Sequence, residues 1–96
     1  MNIRYAWVGK VIHNLIKKGN IRNSTILIII YLSAKIEDDH IAITVKEISD
    51  FLLKKYDKRV AFSTIINTLQ TLEDMEILEK IQRGNKIQPT IYKIIN

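Results

Sequence analysis

The stretch "TLQTLEDMEILEKIQRGNKIQPTIYKII", residues 68–95, changes its hydrophobic period near its middle. Up to Met75 the apolar residues recur at the spacing of an α-helix, whereas from Ile77 they alternate with polar residues on both sides of "RGNK". Alternation around a Gly-Asn pair predicts a β-hairpin, because both residues accept the positive φ of a tight turn. We therefore expect a helix that leads directly into strands at about 77–82 and 86–95, joined at Gly84 and Asn85.

The first half of the chain predicts two helices and a short strand. An amphipathic helix with a basic end is expected over Ile3–Lys18, with Gly19 as its C-terminal stop. A second helix is expected to begin after an N-cap at Asn23 or Ser24 and to run to about Ile36. "EDDH" at 37–40 is expected to form a loop, and "IAI" at 41–43 a strand.

Two further helices are expected before the hairpin. Thr44 followed by Glu47 is a capping box, which predicts a third helix from Val45 to about Lys55. After the break "YDKRVAF" at 56–62, a fourth helix should bury one apolar stripe and expose a polar one. The apolar stripe is Phe62, Ile65, Ile66, Leu69, Leu72 and Met75, and the polar stripe is Ser63, Thr64, Asn67, Thr68 and Thr71.

This order of elements is that of a winged helix-turn-helix domain, with the hairpin as the wing and the fourth helix as the recognition helix. The chain resembles winged-helix transcriptional regulators, especially those of the multiple antibiotic resistance regulator type and the small winged-helix proteins of archaeal viruses and plasmids. The resemblance lies in "ITVKEISDFL" at 43–52, "STIINTLQTLEDMEILEKI" at 63–81 and "TIYKI" at 90–94. It implies an α+β fold, mostly helical with a small antiparallel sheet. Glu76 departs from the family's usual Gly, at a helix end where a left-handed residue is expected.

Composition limits the class of protein. The chain has 96 residues, 47% of them apolar, which fits one domain over residues 1–96 with a modest core. The absence of cysteine excludes disulfides and thiolate metal sites. The longest apolar run, "ILIIIYL" at 26–32, is far shorter than the ~20 residues that span a bilayer. Lys10 and His13 interrupt any signal peptide, so we expect a cytoplasmic protein without membrane contact.

The charge distribution points to nucleic acid. Fifteen Lys and Arg against ten Asp and Glu give a net charge of +5, which favours polyanions. Bases gather at 54–59 and 80–93, on either side of an acidic block at 73–79. Residues 60–72 carry no charge, whereas a merely solvated helix usually carries Lys and Glu pairs. Short uncharged side chains let a helix approach base edges in the major groove.

These patterns predict double-stranded DNA as the partner. The expected contacts are Lys54, Lys55, Lys58 and Arg59 on phosphates, Ser63, Thr64, Asn67, Thr68 and Thr71 in the groove, and Arg83 and Lys86 on the wing. We expect no catalysis, cofactor or metal, because His13 and His40 lie in different elements without a paired carboxylate.

The expected function is sequence-specific regulation of transcription, as a repressor, by a homodimer. Apolar surface on the first two helices, including residues 1–19, is expected to form the dimer contact through one helix or both. A winged-helix module for protein interaction and a replication or partition protein are the alternatives. The operator, the sign of regulation and any small-molecule effector are left open by the sequence.

Overall fold

The structure, a computed structural model, describes residues 3–19, 21–85 and 87–95. In chain order the elements are α1 (Ile3–Lys18), α2 (Asn23–Ala34), β1 (His40–Ile43), α3 (Val45–Tyr56), α4 (Phe62–Asp74), β2 (Leu78–Gln82) and β3 (Thr90–Ile94). The expected α+β fold, mostly helical with a small antiparallel sheet, is confirmed, and the layout is compatible with a winged-helix arrangement.

The sheet has the strand order β1-β3-β2, so the last strand along the chain lies in the centre. Both pairings are antiparallel, with Ile43 opposite Thr90 in one ladder and Leu78 opposite Ile94 in the other. The second ladder is irregular between Lys80 and Gln82. The short strand thus joins the hairpin, as the sequence predicts.

Every helix and every strand contributes apolar side chains to one core. The buried side chains include Trp7, Val11 and Leu15 from α1, Ile28, Ile29 and Leu32 from α2, Ile48 and Leu52 from α3, Ile65, Leu69 and Leu72 from α4, and Ile41, Ile43, Leu78, Tyr92 and Ile94 from the sheet. Burying one such aliphatic side chain contributes about 1.5–3 kcal/mol. The core therefore fixes α4 and the sheet relative to each other.

The start of α2 differs from the expectation. Asn23 is its first helical residue and Arg22 occupies the N-cap position, where no side chain caps the helix. The expected N-cap at Asn23 or Ser24 is therefore wrong. The helix also ends at Ala34, because the chain must reverse into β1.

The reversal into β1 is a two-residue turn. Asp38 and Asp39 have φ of 50° and 66°, and Glu37 and His40 exchange both backbone hydrogen bonds across them at 2.8 and 2.9 Å. Two left-handed residues match the twist of the flanking strand residues, and Asp accepts this conformation better than most residues. The expected loop at 37–40 is thus a tight turn, and His40 already belongs to β1.

The ends of α3 and α4 follow local chemistry. The capping box is confirmed: the Glu47 N–H donates to Thr44 Oγ1 at 3.1 Å and the Thr44 N–H donates to Glu47 Oε1 at 2.7 Å. At the end of α4, Glu76 has a φ of 59°. The Glu76 N–H donates to the backbone carbonyl oxygen of Glu73, and the Ile77 N–H donates to that of Leu72, both at 2.9 Å. This pair of bonds is the Schellman motif. A residue with a Cβ thus adopts the conformation for which glycine is usual.

The wing differs most from the expectation. Neither Gly84 nor Asn85 has a positive φ, and β3 begins at Thr90 because Pro89 has no N–H to extend the ladder. Asn85 Oδ1 instead accepts the N–H groups of Ile87 and Gln88, both at 2.8 Å. Gly84 is required for space, since a Cβ there would collide with the Gln88 carbonyl oxygen.

Candidate nucleic-acid interface

The outward face of α4 is a ridge of exposed polar side chains. Ser63, Asn67 and Gln70 follow one another at helical spacing and are all exposed. They lie opposite the row of Ile65, Leu69 and Leu72, which is buried in the core. Gln70 was missed by the sequence analysis, although its position three residues after Asn67 places it on the same face.

The three threonines of the predicted polar stripe lie beside this ridge. Thr64, Thr68 and Thr71 are half-buried and line a cleft against the junction of α1 and α2. The Thr68 and Thr71 hydroxyls each donate to the backbone oxygen four residues earlier, at 2.9 Å. Each keeps only its acceptor lone pairs for a ligand. The predicted stripe is therefore divided: Ser63 lies on the outward ridge, the threonines line the cleft, and the exposed Asn67 lies at the border and also lines the cleft.

The predicted apolar stripe of α4 is too wide. Phe62 and Ile66 are each 51% exposed, so the expectation that they are buried is wrong. The row of Ile65, Leu69 and Leu72 fills the contact with the core, and Phe62 and Ile66 lie on the flank of that row. Met75 is half-buried and packs against the core. The polar ridge thus has an apolar border.

The N-terminus of α4 favours an anion. Its N-cap is Ala61, no side chain caps it, and its first turn carries no acidic residue. Lys58 and Arg59 are exposed in the connection that precedes it. Free N–H groups at the positive end of a helix dipole, with cations nearby, form a ready site for phosphate. By contrast, Thr44 and Glu47 already satisfy the N-terminus of α3.

Lys54 and Lys55 lie in the last turn of α3 and are exposed. Lys55 Nζ lies 5.6 Å from the centroid of the Phe51 ring and 5.9 Å from that of Tyr56, within the range of a cation–π contact. Cations at a helix C-terminus also stabilise the helix through its dipole. Both lysines thus have a structural role independent of any ligand.

The wing presents Arg83, which is exposed, whereas Lys86 lies outside the described residues. Ile87 is 89% exposed near the tip. Lys80 Nζ lies 3.8 Å from Glu73 Oε2, so one base of the run at 80–93 is offset by the acidic block. Arg83 is thus an exposed cation on the described part of the wing.

The acidic block lies at the C-terminal end of α4, and one member shares the ridge. Asp74 is exposed and accepts a hydrogen bond from Gln70 Nε2 at 2.9 Å. The thirteen residues of α4 extend about 18 Å along the axis, at about 1.5 Å per residue. The N-terminal half of the ridge, with Ser63 and Asn67, is therefore the half suited to a polyanion.

Within the described ranges, no group of His, Cys, Asp and Glu is placed to hold a metal ion. His40 Nδ1 lies 2.7 Å from the Asp38 carbonyl oxygen, so its ring takes part in the turn before β1. None of the helices in the described part of the chain combines the length and apolar character needed to cross a membrane.

The residues that meet on α4 and its approach are an uncharged polar ridge, an uncapped helix N-terminus and two exposed cations. No protein-family model matches the chain, and no curated protein and no solved structure shows significant similarity to it.

Proposed function

We propose that this protein binds double-stranded DNA sequence-specifically, with α4 in the major groove and the hairpin against the adjacent backbone. One observation carries the proposal: the N-terminal half of α4 exposes Ser63 and Asn67, carries no charge, and begins at an uncapped end beside Lys58 and Arg59. An α-helix fits the major groove, and its N-terminal residues are the ones that reach base edges in helix-turn-helix proteins.

Each group has a distinct role in this complex. The Asn67 amide accepts from adenine N6 and donates to N7. The N–H groups at the start of α4, with Lys58 and Arg59, bind phosphates and fix the helix in the groove. Arg83 binds a phosphate or enters the minor groove beside it.

The proposed assembly is a homodimer that represses transcription by occupying a promoter. Trp7, Val11 and Leu15 are buried in the chain's own core and are not available to a partner. Ile16 on α1 and Ile30 on α2, 58% and 42% exposed, are the apolar side chains that a second copy would cover. A two-fold axis would place two copies of α4 about one helical turn of DNA apart.

The test is a selection of bound fragments from a random duplex pool, followed by affinity measurement for Asn67→Ala. We expect a pseudo-palindrome to be enriched. On it the variant should lose about 1–3 kcal/mol and relax selectivity at one base pair per half-site. The unselected duplex is the control, on which the variant should bind as the wild type does. A pool without enrichment would reject sequence-specific binding.

A second candidate function is a module for protein interaction, and the exposed Phe62 and Ile66 favour it. Apolar side chains on the helix that would enter DNA are typical of a protein-binding surface when they are contiguous. In that case the chain should elute from heparin at low salt, and the Phe62→Ser, Ile66→Ser double variant should bind duplex DNA no differently. A replication or partition role predicts the same DNA binding without a change in promoter activity.

A further inference from the structure

A cleft of about 370 Å³ lies between the junction of α1 with α2 and the threonine side of α4. Gly19, Arg22 and Thr25 line it from the junction, and Thr64, Thr68 and Thr71 are among the α4 residues on the other wall. Among the described residues of the lining none is acidic, and Arg22 carries the charge. Its volume lies at the lower end of the range of small-ligand pockets.

Two residues at the N-terminus of α2, Arg22 and Thr25, line this cleft. Arg22 is the N-cap, no side chain caps the helix, and its first turn has no acidic residue. The first intrahelical bond is from the Ile26 N–H to the Arg22 oxygen at 3.1 Å. The N–H groups of residues 23–25 therefore have no partner within the helix, at the positive end of a twelve-residue dipole.

Thr25 provides an independent indication of a ligand. It is a buried polar residue, only 8% exposed, and it lines the cleft. Its hydroxyl has no hydrogen-bond partner anywhere in the described part of the chain. The Thr25 oxygen is not one of the fully buried unpaired atoms among the described residues, so this hydroxyl of an otherwise buried residue reaches the cleft and is free to bond a ligand there. Since Thr25 is the third residue of α2, its hydroxyl and its free N–H belong to the same helix end.

The donors determine the chemistry of the occupant. On the α2 wall, Arg22 and the hydroxyl and N–H of Thr25 are donors, and the described residues of the lining include no carboxylate to bind a cation. The Thr68 and Thr71 hydroxyls on the opposite wall donate within α4, so the donors for an anion are those of the α2 wall. We propose that this cleft is a binding site for a phosphate group, held by Arg22, Thr25 and the N-terminus of α2. Three acceptor oxygens and a negative charge match this donor set. The phosphate belongs either to the DNA backbone beside α4 or to a small phosphorylated effector, which would then contact α4 directly.

The first arm of the test uses inorganic phosphate without DNA. Amide resonances of residues 23–25 and 68 should shift saturably with phosphate, measured against chloride at equal ionic strength. Thr25→Val, which keeps the shape, and Arg22→Gln should each weaken binding about tenfold or more. Lys46→Gln is the control of equal charge, because Lys46 is paired with Asp50 at 2.8 Å on α3 and does not line the cleft.

The outcome that overturns the site is a shift without saturation, or shifts that Thr25→Val and Arg22→Gln leave unchanged. Arg22 is exposed, so Arg22→Gln is expected to fold even if Thr25→Val does not. Circular dichroism of each variant checks this point.

The second arm uses duplex DNA and rests on the proposed function. If the cleft holds a backbone phosphate, both variants should weaken duplex binding and lower the magnitude of the salt slope by about 1, and phosphate should compete. If it holds an effector, duplex affinity should be unchanged in the variants, and phosphate should alter it for the wild type alone. Saturable phosphate shifts in a protein that binds no duplex would reject the proposed function and keep the phosphate site. Duplex binding by a protein that shows no saturable phosphate shifts would reject the phosphate site and keep the proposed function.

Discussion

Glu76 ends α4 in a backbone conformation that costs any residue with a Cβ roughly 1 kcal/mol or more. Glycine pays no such cost, but it loses more chain entropy on folding. We therefore expect Glu76→Gly to raise the free energy of unfolding by about 0.5–1 kcal/mol, measured by urea denaturation. Asp57 ends α3 with a φ of 52°, and Asp tolerates this conformation better. Asp57→Gly should accordingly raise the free energy of unfolding by less than Glu76→Gly does. A lower free energy of unfolding in Glu76→Gly would show that the glutamate side chain stabilises the fold by more than its backbone strain costs.

Tyr92 makes stability depend on pH at the alkaline end. Burial, and then the negative charge of Glu73, raise the pKa of Tyr92 from 10.0 to about 12. A pKa higher in the folded than in the unfolded state gives stability that is complete below about pH 10 and is lost as the pH rises towards 12. Urea midpoints should therefore fall more steeply between pH 10 and 12 in the wild type than in Tyr92→Phe.

Tyr31 also contributes to the loss of stability at alkaline pH, because burial and then Glu47 raise its pKa to about 12 as well. Tyr92→Phe should consequently remove part of the alkaline loss and leave the rest. Equal slopes in wild type and variant would contradict the assignment to Tyr92. Below pH 9 the two proteins should respond to pH alike.

At the scale of elements, structure set by neighbours in sequence was predictable. The bounds of α1 and the capping box of α3 are confirmed because a glycine stop and a Thr-Glu pair act within one turn. The exposure of Phe62 and Ile66 was not predictable, because helical spacing does not show how much of an apolar stripe the core will cover. The wing was mispredicted because Asn85 closes it with its side chain rather than with a positive φ.

The wing depends on Gly84 for space. A Cβ at this position would overlap the Gln88 oxygen and the Pro89 backbone, and the Gly84 N–H donates to Thr90 Oγ1 at 3.0 Å. We expect Gly84→Ala to lower the free energy of unfolding by about 1–3 kcal/mol, as overpacking usually does. Gly9→Ala is the matched control: a Cβ there meets nothing within 4 Å, and alanine should stabilise α1 by up to about 1 kcal/mol. Similar changes in both variants would mean that the close approach at Gly84 is easily relieved.

Arg83 tests whether the wing contacts DNA. Because it is exposed, Arg83→Ala should change stability by no more than about 0.5 kcal/mol. It should weaken specific and non-specific duplexes alike and lower the magnitude of the salt slope by about 1 if Arg83 binds a phosphate. A loss confined to A·T-rich flanks would instead place Arg83 in a narrow minor groove. Unchanged affinity and slope in a folded variant would remove the wing from the interface and favour the protein-interaction function.

At the scale of the whole molecule, the proposed homodimer predicts a mass of about twice 11.2 kDa in light scattering at micromolar concentration. Ile16→Glu or Ile30→Glu should give a folded monomer, since both side chains are exposed in the single chain. Trp7→Glu and Leu15→Glu should instead unfold it, because these residues are 5% and 2% exposed. A wild-type monomer that still binds an enriched palindrome would contradict this mode of assembly.

The phosphate cleft is also a property of the whole molecule, and the sequence did not reveal it. Its walls come from the end of α1, the start of α2 and one side of α4, and β1 and α3 separate α2 from α4 along the chain. The only local signal was the absence of an acid or a capping side chain at the start of α2, and Asn23 and Ser24 obscured it by resembling N-caps. Tertiary placement alone brings Thr25 opposite the threonines of α4.

The central position of β3 has a consequence for synthesis on the ribosome. β1 and β2 are hydrogen-bonded only to β3 in the sheet, so neither strand has its partner until residues 90–94 have been translated. β1 precedes β3 by about 50 residues, which corresponds to several seconds at roughly 5–20 residues per second. During that time the helices have sequence-local bonds to form, whereas both outer strands keep open edges that can pair with other chains. A nascent chain that stops just before Thr90 therefore loses both ladders at once.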